Sequence, residues 1–444
     1  MRDILIFSIF IAVLVLALKR SYIGALLWAW ISIMNPHRYS YGFVFSMPLA
    51  MITAVVTLFS MLTNRSQVRG IPSLSVVWIW GGFCLWMMIT TVGAFYVPES
   101  LDSLNKVGKI MFMLFLTMML VFEKQQILTL VWVYAMSIGL LGLKSGVFTL
   151  LGGGGDRVWG PPGSFIEGNN EIGLAFVVVI PILYYLTFQT GNKWIKLFTF
   201  ACAAASAIAT FGTQSRGAFL AIAAMAGFLW IKSDRKLLLG LALIVGGAAI
   251  LAFMPESWHS RMDTISNYQE DGSAMGRINA WAMAYNLAND NFLGGGFDIY
   301  NGIMFARYAP VPDDIHAAHS IYFQVLGEHG YIGLLLYLLF GVYSWRLAGQ
   351  LQKRTIKNPS LDWISRFAAM AKVSIAGFAV GGAFLSLAYF DLPYYITVTL
   401  IVMYRWLDSQ EEAKIRLVGP PSRARRNNVF EQEVLSDGGV KGVR

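Results

Sequence analysis

The chain has 444 residues, of which 56% are hydrophobic and 13% charged. Soluble globular proteins carry about 25% charged residues, so this composition excludes a water-soluble globule and places the backbone in lipid. The formal net charge of +9 fits the Lys and Arg that membrane proteins keep on their cytoplasmic side, and needs no nucleic-acid partner.

Only helices and closed barrels satisfy every backbone group inside a bilayer, and the apolar segments here are apolar all round, which reads as helix. In chain order the candidate spans are 4–18, 21–34, 46–63, 73–93, 106–122, 126–151, 171–188, 195–213, 217–231, 237–254, 320–345, 367–388 and 394–407. A span needs about 20 residues, and the first two runs and the last fall short of that. The expected fold is therefore an all-α integral membrane protein with about 12 transmembrane helices, 13 being the alternative. The first run follows Met1-Arg2-Asp3 with no small-residue cleavage site before the next, so it reads as a membrane segment, not a signal peptide. Cys84 and Cys202 both sit inside apolar runs, which argues against a disulfide or zinc framework.

Charge sets the expected orientation. Lys232, Arg235 and Lys236, then Lys353, Arg354, Lys357 and Arg366, and the tail bearing Lys414, Arg416 and Arg423, should be cytoplasmic. The tail, 411–444, is polar and reads as disordered. Segment 255–318 has three arginines, no lysine and eight acidic residues. It reads as a large periplasmic loop containing short helices, and alternation puts loops 152–170 and 213–217 on the same side.

Polar chemistry gathers on that outer side. Four of the five histidines, His259, His316, His319 and His329, fall between 255 and 330. His319 stands where the outer loop ends and a span begins, with Tyr322 and Phe323 expected at i+3 and i+4 on its face. Glu328 would lie on the opposite face. The residue types allow His319 to be a base near neutral pH or an interfacial anchor. Arg216, in TQSRGAF, and Arg277, in a stretch expected as an amphipathic helix ended by Gly294-Gly295-Gly296, could snorkel or clamp phosphate. Lys144, inside run 126–151, would cost about 2.5–3.5 kcal/mol to insert, so it reads as functional unless the helix breaks near Gly139 and Gly142 to let it reach water. The Gly/Pro-rich loop GGGGDRVWGPPGSFIEGNN lacks a P-loop ending, but offers Arg157, Asn169, Asn170 and Glu171 at the membrane surface. No D-x-D, HExxH, GxSxG or Walker motif is present, which weakens nucleotide-sugar, metalloprotease and ATP-driven transport readings.

Ser215-Arg216-Gly217, the Arg277…Trp281…Gly294-Gly295-Gly296 stretch and HSIYFQVLGEHGYIGLLLYL together resemble the O-antigen ligase family, whose motif is a histidine followed by E-x-G-x-x-G. His319, Glu328, Gly330 and Gly333 fit that pattern. The N-terminal half, with NPHRYSYGF, resembles a subgroup of O-glycosylation ligases associated with exosortase systems. The resemblance covers residues 1–410 as one polytopic ligase domain. It implies a lipid-linked-donor glycosyltransferase of the bacterial inner membrane, acting at the periplasmic face in lipopolysaccharide biosynthesis. A glycan on undecaprenyl pyrophosphate would move to a lipid A–core hydroxyl, inverting the anomeric centre, with no metal or other cofactor. Arg216 and Arg277 would hold the pyrophosphate and His319 would be the base. Lys144, Arg157, Asn170, His316, Tyr322 and Glu328 are secondary candidates. O-antigen polymerases and protein O-oligosaccharyltransferases share the motif and remain the near alternative. A lipid or sugar transporter is the distant one.

Overall fold

The computed structural model describes residues 1–233, 235–263 and 272–418, the last five as backbone. It is 78% helix, and no strand occurs among the described residues. The helices in chain order are α1 (Arg2–Lys19), α2 (Ser21–Met34), α3 (Leu49–Thr63), α4 (Ser75–Val92), α5 (Val97–Leu120), α6 (Lys124–Leu151), α7 (Asn169–Leu186) and α8 (Lys193–Gly212). They continue as α9 (Arg216–Lys232), α10 (Lys236–Phe253), α11 (Glu256–Asp263), α12 (Gly272–Asp290), α13 (Gly302–Tyr308), α14 (Ile321–Thr355), α15 (Asp362–Gly382) and α16 (Asp391–Val418).

Every apolar run read from the sequence is a helix. Among the described residues, eight helices are long and apolar enough to cross a membrane: α4, α5, α6, α7, α8, α10, α14 and α15, the last with the 3-10 turn before it. The chain is thus a multi-pass membrane protein. The expected count of about 12 is not reached by helices of full span length, because α2 and α3 have only 14 and 15 residues and α9 only 17. Helix α16 runs on to Val418, past the expected start of the tail at 411, and residues 419–444 lie outside those described.

Local chemistry explains the helix boundaries. Glu123 and Gln126 form a reciprocal capping box at the start of α6, and the Ser215 hydroxyl accepts the Ala218 amide at 3.2 Å to start α9. Helix α6 is not broken at Gly139 and Gly142. It is continuous, and these glycines with Gly146 face neighbouring helices: a side chain would strike Leu183 from Gly139, Ser206 from Gly142 and the Ala205 backbone from Gly146. Small residues are how membrane helices approach closely. Helix α7 is central, walled by α6, α8, α9 and α15. Helix α10 buries none of its residues and packs mainly on α9, with the His259 ring of α11 at its Leu251 carbonyl, so most of its surface is left to lipid.

Helix α14 breaks at Gly330, whose φ of 66° lies in the left-handed region that favours glycine. The break is clasped by the segment that follows α12. The Gly295 amide donates to the Gly327 carbonyl at 2.8 Å and the Gly296 amide to the Glu328 carbonyl at 2.9 Å. The triple glycine is therefore a docking turn, separated by Asn291–Leu293 from the end of α12 at Asp290. A small second core of Ala280, Met283, Leu287, Ile299, Phe305 and Tyr308 holds α12 to α13.

Candidate active site

Three helix starts converge at one end of the bundle. The Asn169 side chain, first in α7, donates to the Thr213 carbonyl just before α9 at 2.8 Å, and the first turns of α7 and α9 touch at Gly173 and Ala218. His319, just before α14, has its Nδ1 4.0 Å from Glu171 Oε1 in the first turn of α7. Helix N-termini carry partial positive charge and unsatisfied N–H groups, so the junction favours an anion.

Arginines collect around this junction. Gln214, held at φ 53°, is the hub. Its amide donates to the Gly154 and Gly155 carbonyls at 3.1 and 2.9 Å, its side-chain oxygen accepts Arg157 Nε at 3.3 Å, and its carbonyl accepts Arg261 Nε at 3.0 Å. Arg216 follows two residues later, half-buried at the first position of α9. Loops 152–170 and 213–217 and the segment after 255 therefore meet at one end, as alternation required.

His319 adopts φ 42°, an uncommon conformation for a non-glycine residue. Such strain is held by surrounding structure and concentrates at functional sites. Burial, then the Arg277 charge and His316, push its pKa down to about 4, so the imidazole is a neutral base at physiological pH. Arg277 projects half-buried from the second turn of α12. Its neighbour Trp281 donates to the Ala318 carbonyl at 2.6 Å and stacks on Phe323 with ring centres 5.0 Å apart, fixing α12 against the start of α14.

The secondary candidates separate from this group. His316 Nε2 bonds Asp314 at 2.8 Å, and its ring fills the space a Gly276 side chain would need, so it braces the loop. The expected i+3 and i+4 face does not exist, because α14 begins only at Ile321. Tyr322 instead donates to the Ala379 carbonyl of α15 at 2.7 Å. Glu328 is buried and accepts the Tyr389 hydroxyl at 2.5 Å. Asn170 is half-buried beside Glu171. Lys144 is exposed, its ammonium 4.6 Å from the centre of the Tyr39 ring, and no described contact brings it to the arginines. Burial inside the bundle, inferred from its place in the run, is corrected: α6 turns Lys144 to the surface of the bundle, where a cation–π contact supports it.

Residues 200–338 match the family model described as O-antigen ligase. Over that region the chain is similar to the O-antigen ligase family. The region supplies Arg216, Arg261, Arg277 and His319, whereas Arg157 and Glu171 come from residues 1–190, which match a model described only as a family of unknown function. No curated protein matches the chain. Arg261 and the Gln214 hub are what the sequence reading passed over. The available signal was the outer segment itself: it has arginines and no lysine, and two of its three join the site, while Arg307 pairs with Asp290 at 3.3 Å. Among the described residues, no group of three or more His, Cys, Asp or Glu is gathered; the positive pole here is arginine.

Proposed function

We propose that the chain transfers a glycan from a polyprenyl-pyrophosphate carrier to an acceptor hydroxyl at the periplasmic face of the inner membrane. The observation that carries the reading is a half-buried histidine in left-handed backbone beside an arginine-rich junction of three helix starts. Arg216 and Arg277 hold the pyrophosphate, with Arg157 and Arg261 at the rim of the same junction. Their charge stabilises the anion that develops as the sugar–phosphate bond breaks. His319 takes the acceptor proton at one ring nitrogen. Glu171 lies 4.0 Å away on the Nδ1 side, which leaves Nε2 for the acceptor. The attacking oxygen forms the new glycosidic bond, and the carrier leaves as polyprenyl pyrophosphate. The donor bond is already activated, so the step calls for neither ATP nor a metal.

Lipid A–core is the proposed acceptor. The test is a reaction of purified protein with lipid-linked glycan and lipid A–core in EDTA without ATP. Product is the expected result. Strict dependence on ATP or added metal would overturn the reading. Elongation of the lipid-linked glycan with no attachment to lipid A–core would assign a polymerase instead, and attachment to protein an oligosaccharyltransferase.

A further inference from the structure

A second charged cluster lies at the opposite end of the bundle. Lys232 closes α9, Arg346 and Lys353 lie on α14, and Lys372 lies on α15. The charges of Lys232 and Lys353 both act on Lys372. Lys372 Nζ donates to Gln352 Oε1 at 3.2 Å and sits 5.9 Å from the centre of the Trp345 ring. It crosses α14 at Gly349, where a side-chain carbon would stand 3.4 Å from that nitrogen. Among the described residues no carboxylate is within ion-pair distance of any of the four cations. The nearby acids are engaged elsewhere: Arg354 holds Asp408 at 2.7 Å and Glu411 at 2.8 Å.

Directly beside these cations is a cavity of about 360 Å³ between α7, α14, α15 and α16. It is walled by apolar side chains such as Val178, Tyr337, Phe340, Ile375 and Phe378, and it reaches Trp345 and Arg346. The aromatic rings cluster where the cations are. Phe228 meets Trp345 edge-on at 5.5 Å, Lys232 lies 6.0 Å over Phe228, and Arg346 lies 5.3 Å over Tyr343. Arg346 also ends the apolar stretch YIGLLLYLLFGVYSW, residues 331–345, which places the group at the edge of the hydrocarbon.

We propose that this corner binds one anionic phospholipid, its phosphodiester on Lys372, Arg346, Lys232 and Lys353 and one acyl chain in the cavity. Unpaired cations at the headgroup level attract anionic lipid, and basic sites between transmembrane helices are where such headgroups seat. The apolar cavity is what separates this ligand from free phosphate, which has nothing to put there. The headgroup cations lie at the end of the helices opposite His319, while the cavity itself runs back to Ile321 and Tyr322 at the start of α14.

The test uses the full-length protein, delipidated in detergent and titrated with dioleoyl-phosphatidylglycerol, dioleoyl-phosphatidylcholine, inorganic phosphate or a polyprenyl phosphate. Bound species are read by native mass spectrometry and by the shift in Tm. Phosphatidylglycerol should bind as one saturable equivalent and raise Tm, with phosphatidylcholine and phosphate far weaker. Each cation near the surface contributes about 1 kcal/mol, so the double variant Lys372→Gln/Arg346→Gln should weaken that binding roughly 30-fold. Lys372→Arg should keep it. Ile375→Trp, which fills the cavity and leaves every charge, should also weaken it. The comparison on the unmodified protein stands even if a variant fails to fold. Equal binding of phosphatidylcholine, unchanged affinity in the folded double variant, or tighter binding of the polyprenyl phosphate would each overturn the proposal.

Discussion

Replacing His319 separates chemistry from backbone. Its φ of 42° suits asparagine, which tolerates the left-handed region, better than alanine. His319→Asn therefore removes the base while keeping the backbone, whereas alanine adds strain of about 1–2 kcal/mol. General-base catalysis contributes about 10²–10⁴-fold, equivalent to about 2.7–5.4 kcal/mol of barrier, and His319→Asn should lose that factor with donor binding retained, because the arginines hold the pyrophosphate. The pH profile is the sharper readout. With its pKa pushed down to about 4, His319 is unprotonated above that value. The rate should be flat from neutrality down to about pH 5 and halve near pH 4, an inflection absent from the asparagine variant. The sign for stability is the same. The unfolded chain takes up a proton near pH 6.5 that the folded site refuses until about 4, so stability falls as pH drops through that window, and rates must be normalised to folded protein. The assay is transfer by purified protein in nanodiscs, with donor binding measured in parallel. A His319→Asn enzyme with more than about a tenth of the normal rate would refute the assignment against a base worth about 10²-fold or more. So would an inactive His316→Ala beside an active His319→Ala.

Three more outcomes follow from the same geometry. Arg216→Ala and Arg277→Ala should each lower transfer by about 10²–10³-fold at equal expression, with lysine restoring only part because it lacks the planar fork; normal activity in either alanine variant removes that residue from the site. Glu171→Gln should reduce kcat more than KM, since it changes the carboxyl group 4.0 Å from the imidazole; an unchanged kcat would leave Glu171 a helix-end residue only. In a background without Cys84 and Cys202, Asp313→Cys should react with an impermeant thiol reagent from the periplasmic side and Glu411→Cys should not, and the reverse labelling would invert the topology.

Much of the fold was legible because hydrocarbon imposes one solution. A long apolar run bounded by charge, proline or glycine has to be a helix, and every run did become one. The gathering of arginine and histidine at one end was legible too, since Arg216, Arg277 and His319 are rare residue types standing where apolar runs end. What sequence could not determine is which polar groups meet. Glu171 reaches His319 from 148 positions away in the chain. Arg157 and Arg261 converge on Gln214 across 57 and 47 positions. Those meetings depend on how α7, α9 and α14 pack, and packing among apolar helices is decided by glycine-sized notches and helix breaks, not by hydropathy. Lys144 makes the same point from the other side. Its place in an apolar run looked like a buried charge, and only the rotation of α6, set by Gly139, Gly142 and Gly146 facing its neighbours, turned it outward onto Tyr39. The left-handed backbone of His319 is likewise tertiary, because nothing in local composition calls for it and only the surrounding contacts hold it there.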